Sequence, residues 1–273
     1  MNFTKRFIVE PKTKVKLSEY DPGNTLSFKS KKEAAEQMGE NLQRLSELQY
    51  RMYAEGKQAL LIVLQAMDAG GKDGTIRHVM GPWNPQSCRV ASFKGPNDVE
   101  LAHDFLWRIH HNTPRKGEIF IFNRSHYEDV LIVRVHNLVD RKVWSKRYDL
   151  INDFERLLTE ANVHILKFFL HISKDEQKKR FLSRVNDSTK HWKIVEADLA
   201  ERQHWDDYFK AYEDVLSKTS TEQAPWFIIP ANHKWFRNLA VSEIIQEKLE
   251  AMNPQFPAPT ADIDHFRELL EKE

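Results

Sequence analysis

The chain has 273 residues, with 41 Lys and Arg against 40 Asp and Glu and a single cysteine. Charges that nearly cancel exclude the global basic field of a general DNA or RNA binder, so any polyanion must be met by a local patch. Lone Cys88 excludes an intrachain disulfide, the N-terminal MNFTKRFIVEPK lacks the apolar core of a signal peptide, and no stretch approaches a membrane span, which together predict a soluble cytoplasmic protein with no membrane partner.

Residues 1–29, punctuated by Pro11, Pro22 and Gly23, read as an extended arm. Ser30 and Glu33 stand at capping-box spacing ahead of Met38, Leu42, Leu45, Leu48 and Met52, which recur at helical intervals until Gly56 stops the helix. Apolar runs follow at 59–64 (ALLIVL), 88–93 (CRVASF), 118–122 (EIFIF), 164–171 (HILKFFLH) and 226–229 (WFII). Helical patterns separate them, around 75–80, 98–111, 126–137, 144–160, 174–186, 196–217 and 234–252. Several runs are apolar on both faces, as in strands covered by helices on both sides. Such alternation predicts an α/β domain over 30–252, with right-handed crossovers and a parallel sheet. Its ligand site then lies beyond the carboxyl ends of the strands. Cys88, inside one run, reads as a small buried residue. The tail, 253–273, has a Pro-rich hinge and then Ile263, Phe266, Leu269 and Leu270 at helical spacing. It reads as a short helix docking on its own chain or on a sister subunit, and arm and tail together predict a homo-oligomer.

Three strand ends carry chemistry. After the first strand comes Asp68-Ala69-Gly70-Gly71-Lys72-Asp73-Gly74-Thr75. Its glycines permit backbone angles that let successive N–H groups converge on an oxyanion, and the next helix points its positive end at the same spot. Lys72 supplies a full charge. Asp68 would repel a phosphate unless a cation sits between them, which argues for Mg²⁺, a metal that binds one or two carboxylates plus phosphate oxygens. The bland alternative is an ordinary strand–helix turn with a surface lysine.

After the third strand comes Asn123-Arg124-Ser125-His126-Tyr127-Glu128-Asp129. An amide or carboxylate at that place is a Walker B-like metal position, with Arg124 buried against the phosphates; Asn123 or Ser125 also suits a helix cap. After the fourth strand, residues 174–193 carry seven Lys and Arg against three Asp and Glu. Arg180 and Arg184 share a helical face there. A basic helix over a phosphate loop is the lid of a nucleotide kinase, while a solvated charged helix is the bland alternative. His126 and His191 read as surface groups, and Trp192 as core packing.

The stretches AMDAGGKDGTIRHVM, FNRSHYEDVLIVRVH and STKHWK…D resemble the polyphosphate kinase type 2 family. So do KLSEYDPGNT, FKGPNDVELAHDFLWRIHHNTPRKGEIFIFNRSHYEDV and APWFIIPANHKWFRNLAV, and the resemblance runs from about Val15 to Met252. It implies a P-loop kinase-like three-layer sandwich, similar to thymidylate kinase, with a central parallel five-stranded sheet and a helical lid at about 174–200. It also implies reversible transfer of the terminal phosphoryl group of inorganic polyphosphate to nucleotides, with Mg²⁺ or Mn²⁺ as its substitute. Carried over by position, Asp68 binds the metal and orients the acceptor, and Lys72 bridges donor and acceptor phosphates. Asn123 stands at the second metal position, where many relatives have Asp. Arg124 and Arg184 clamp phosphates, with Lys94, Arg108 and Arg180 as further phosphate-side residues. Ala69, Gly70, Gly71, Asp73, Gly74 and Thr75 complete the phosphate cradle. Asn123 and Glu128 together resemble the branch that accepts AMP and ADP, class III of the family, which forms ADP and ATP; guanine nucleotides are further candidates. Two rivals on the same fold are an ATP-dependent nucleoside monophosphate kinase and a non-catalytic polyphosphate- or RNA-binding protein.

Overall fold

The computed structural model describes residues 2–273. Six strands form one sheet: β1 (Ile8–Val9), β2 (Ala59–Gln65), β3 (Cys88–Ser92), β4 (Ile119–Asn123), β5 (Val163–His171) and β6 (Trp226–Pro230). Their order is β1-β6-β5-β2-β4-β3. The last five are mutually parallel, as expected; β1 adds an antiparallel edge, pairing Ile8 with Phe227. β2 lies at the centre and is buried at every residue, the consequence of ALLIVLQ having helices over both faces. Helices Lys31–Glu55 and Lys234–Met252 pack together, joined by Asn41 Nδ2 donating to Ser242 Oγ at 3.1 Å and Glu243 Oε1 at 2.8 Å. Helix Arg147–Glu160 packs with Trp205–Thr219 as a second layer.

Residues 2–29 pack on the domain and are not an extended arm. Phe3–Phe7 is a helix capped by Asn2, and Phe3 and Phe7 pack on Phe236. Val9, Val15 and Leu17 are buried as well. Ser30 accepts from Glu33 N at 3.4 Å, and Gly56, at φ +62°, closes the long helix in the left-handed conformation that glycine adopts without strain. The helix expected over 98–111 is two short ones, Asp98–Leu101 and Trp107–His110. That expected over 126–137 is a 3₁₀ turn, His126–Val130, followed by Ile132–Val135. His126 is wholly buried, because that turn directs it inward to Glu155. Trp192 is 77% exposed, since its 3₁₀ turn Ser188–Lys193 lies outside the layers that cover the sheet. In the tail, helix Ile263–Glu271 leaves Ile263, Phe266, Leu269 and Leu270 exposed. No helix among the described residues is long and apolar enough to cross a membrane.

The parallel register sets the site. The carboxyl ends of β2, β4, β5 and β6 open on one edge, where 66–75, 123–130, 172–180 and 231–237 follow.

Candidate active site

The loop after β2 turns sharply. Gly70 N donates to Met67 O at 2.9 Å, Ala69 has φ +58°, and Gly71 at φ +108° caps helix Lys72–Thr75. A side chain at Gly70 would meet the Ala66 methyl at 2.5 Å and the Met67 carbonyl at 2.7 Å, so the turn closes only on glycine there. The N–H groups of Lys72, Asp73 and Gly74 have no backbone acceptor, as the first turn of a helix requires, and stand free for an anion. The carbonyls are held from behind. Arg180 Nη1 donates to Ala69 O and Gly70 O, both at 2.9 Å. Its Nη2 donates to Ala231 O and Asn232 O, and its Nε to Glu176 Oε1 at 2.8 Å.

Lys72 Nζ donates to Ala66 O at 3.1 Å, so this side chain also fixes the entry to the loop. Burial pushes the Lys72 ammonium below its ordinary range and Arg124 adds to this, while Asp68, Glu128 and Asp73 oppose it. Thr75 is buried and its Oγ1 donates to Gly71 O at 3.2 Å, closing the helix turn.

Asp68 and Arg124 meet across the two strand ends. Arg124 Nη2 donates to Asp68 Oδ1 at 3.0 Å, and Arg124 Nη1 lies 4.0 Å from Glu128 Oε2. The Arg124 backbone has φ +63°, a strained value for a non-glycine residue, held by its N–H donating to Leu64 O at 3.2 Å. The Arg124 side chain is 40% exposed at the strand-end edge, where its expected phosphate partners would lie. Burial pushes the Glu128 carboxyl up, against the pull of Arg124 and Lys72. Asn123 Nδ2 donates to Asp73 Oδ1 at 2.9 Å, while Lys193 Nζ lies 3.7 Å from Asp73 Oδ2. Asp73 thus ties the loop to β4 and to the turn after helix Lys174–Val185.

Arg184, on that helix, reaches Lys193 O at 3.4 Å and Asp198 Oδ2 at 3.7 Å and lies over the Phe181 ring. Burial and nearby Asp68 push the Asp198 carboxyl up, with Arg184 opposing. Two candidates have structural partners instead of an open face. Arg180 is wrapped by four carbonyls and Glu176. Arg108 donates to Lys94 O at 2.8 Å, pairs with Glu100 and lies over the Phe93 ring, because the chain after β3 folds back on it. Lys94 itself is exposed. Gln177, Asp198 and Arg237 are the neighbours that sequence reasoning passed over. Gln177 Nε2 donates to Asp68 O at 2.9 Å, and Arg237 lies against Gly71. The only sequence signals were the final Asp of STKHWK…D and the Arg of NHKWFRN.

Among the described residues no three His, Cys, Asp or Glu side chains are grouped to hold a metal by themselves. A single carboxylate suits Mg²⁺, which takes its remaining ligands from phosphates and water. Asp68 fits that donor set, and the Asn123 amide, with its nitrogen donating to Asp73, keeps its oxygen as a neutral second donor.

Residues 28–257 match the family described as Polyphosphate kinase 2 (PPK2). The chain is 53% identical over 256 residues to an AMP/ADP-polyphosphate phosphotransferase of Meiothermus ruber, covering 93% of this chain and 96% of that one. It is 45% identical over 269 residues to an ADP-polyphosphate phosphotransferase of Rhodopseudomonas palustris, covering 94% and 93%. The fold superposes on the crystal structure of polyphosphate kinase 2 from Arthrobacter aurescens TC1 with a TM-score of 0.96 at 41% identity, covering 100% of this chain and 98% of that one.

Proposed function

We propose, from the premise that this chain belongs to the polyphosphate kinase 2 family, that it transfers the terminal phosphoryl group of inorganic polyphosphate to AMP and ADP, forming ADP and ATP. The observation that carries the reading is the meeting of Asp68, Lys72 and Arg124 at the ends of β2 and β4, over a loop with free N–H groups. Phosphoryl transfer needs positioning and charge neutralisation more than a covalent group, and that is what these residues supply. The loop N–H groups and Lys72 hold phosphate oxygens in line, and Arg124 takes up charge on the transferred group. When Mg²⁺ is bound it neutralises phosphate oxygens, and Asp68, with Asn123 as a weaker donor, would hold it. Glu128, one turn beyond Asn123, returns a carboxylate at a different distance from the strand end, which supports acceptors with one phosphate or two.

Residues 174–200 act as the lid. The contact of Lys193 with Asp73 supports a segment that closes on the loop, and Arg184 gives it a cation for the polyanion. The test is to incubate purified protein with ADP, Mg²⁺ and polyphosphate, without ATP, beside a control lacking polyphosphate. ATP formed only with polyphosphate is the expected result. An ATP-dependent nucleoside monophosphate kinase gives no polyphosphate-dependent ATP, and a binding protein retains polyphosphate without turnover.

A further inference from the structure

Arg237 stands in the first turn of helix Lys234–Met252 and is 2% exposed. Its Nε and Nη2 both donate to one neutral acceptor, Asn238 Oδ1, at 3.1 and 2.7 Å. Among the described residues no carboxylate pairs with it. Burial lowers its guanidinium to about 9, and the next cause is another cation, Arg180. Lys234, in the same turn, is likewise pushed down by burial, then by Arg180 and Arg237. Arg180, Lys234 and Arg237 therefore crowd one place, with Lys190 acting on Lys234 as well, and Glu176, bound to Arg180, is the carboxylate that opposes them. A cation in the first turn of a helix also faces the positive end of the helix dipole. Buried charge without a partner is costly, and the fold gives no internal reason to keep it.

What Arg237 touches is the phosphate loop. Its Nη1 sits 1.9 Å from the place a Cβ on Gly71 would occupy, and its Nη2 3.2 Å from that on Gly74. The guanidinium thus fills the space that these two glycines vacate, against the turn that carries the N–H groups of Lys72, Asp73 and Gly74. We propose that Arg237 is a positioning residue for the polyphosphate reaction: its unbalanced charge, seated against Gly71 and Gly74, is balanced by the phosphates that the loop binds. The protein thus carries part of the electrostatic cost of the site in its empty state, and phosphate binding relieves it. This rests on the phosphate-loop reading and deepens it.

The test uses the full chain and inorganic tripolyphosphate as probe. Its affinity is measured by calorimetry for wild type, Arg237→Met and Arg237→Lys, with the thermal midpoint taken with and without probe. Arg237→Met should hold its midpoint without probe and lose about tenfold or more in affinity, the effect of one low-dielectric charge at short range. Arg237→Lys, which keeps the charge, should recover most of the affinity. In turnover, the Met variant should raise KM for polyphosphate more than it lowers kcat. Equal affinities for Met and Lys variants would overturn the proposal, because a packing role depends on side-chain volume and not on charge. Should the Met variant fail to fold, Arg237→Gln replaces it, and unchanged affinity there is equally fatal. A wild-type protein that does not bind tripolyphosphate would instead sink the phosphate-loop reading itself.

Discussion

Two buried cations, Lys167 and Arg237, lie on neighbouring elements of the same domain and are treated in opposite ways. Lys167, on β5 and 0% exposed, donates to Glu155 Oε2 at 2.6 Å, Tyr127 Oη at 2.9 Å and Thr219 O at 2.6 Å. Its charge is matched and all three of its protons are placed. Arg237 has no carboxylate, one amide oxygen, and Arg180 beside it. The matched cation ties β5 to helix Arg147–Glu160 and, through Tyr127 and His126, holds the turn that carries Glu128. The unmatched one lies against the glycines that shape the anion site. A buried charge that the fold itself satisfies is structural; one left unsatisfied beside free N–H groups marks where a ligand of opposite sign is expected.

The largest expected effect breaks the matched side. Glu155→Gln leaves Lys167 buried without its counter-charge and should cost about 3–5 kcal/mol of stability, read from urea unfolding. A loss below ~1 kcal/mol would remove the contrast with Arg237. The loop side is next. Lys72→Ala should lower the transfer rate about 10²–10³-fold, as loss of a charged group in a dry site does, with the urea midpoint little changed. A variant with near-normal turnover would show that phosphate is held elsewhere.

The third prediction concerns pH. His171 Nε2 faces Tyr20 O, its Nδ1 has no partner, and burial lowers its pKa from 6.5 to about 4. His126, inside the Lys167 network, is lowered in the same direction, mainly by burial. Below pH 6.5 the unfolded chain binds protons that the folded one refuses, so stability falls as pH drops from 6.5 towards 4. For His171 the loss is up to roughly 3 kcal/mol over that window. His171→Asn should flatten the profile there, measured as unfolding midpoint against pH; an unaltered profile would assign the acid sensitivity to other groups. The smallest effect is at the lid. Arg184→Ala should weaken the apparent affinity for polyphosphate by less than about tenfold and make it less dependent on salt, because one partly exposed cation is removed. An unchanged salt profile would make this helix a solvated face.

The parts of the site that depend on local backbone were readable from the residues. The glycine spacing of 68–75 fixes a turn, and the apolar run before it fixes a central strand. Asn123 and Arg124 fall at the next strand end for the same reason. The parts that depend on approach through space were not. Nothing in NHKWFRN says that Arg237 enters the space beside Gly71, and Arg108 and Arg180 look like free cations until their carbonyl partners fold around them. β1 has two residues, too short for any periodicity, and appears only because Phe3 and Phe7 anchor the segment before it. His126 is buried and Trp192 exposed, the reverse of what their sequence positions suggest, since a lone ring in a 3₁₀ turn carries no pattern that tells which side it faces.

The most direct test of the account starts from AMP. Purified protein, polyphosphate and Mg²⁺, without ADP or ATP, are followed by ³¹P NMR. The account predicts the β-phosphorus of ADP first and the γ-phosphorus of ATP after it, each dependent on polyphosphate. A spectrum in which AMP persists while polyphosphate remains would contradict it.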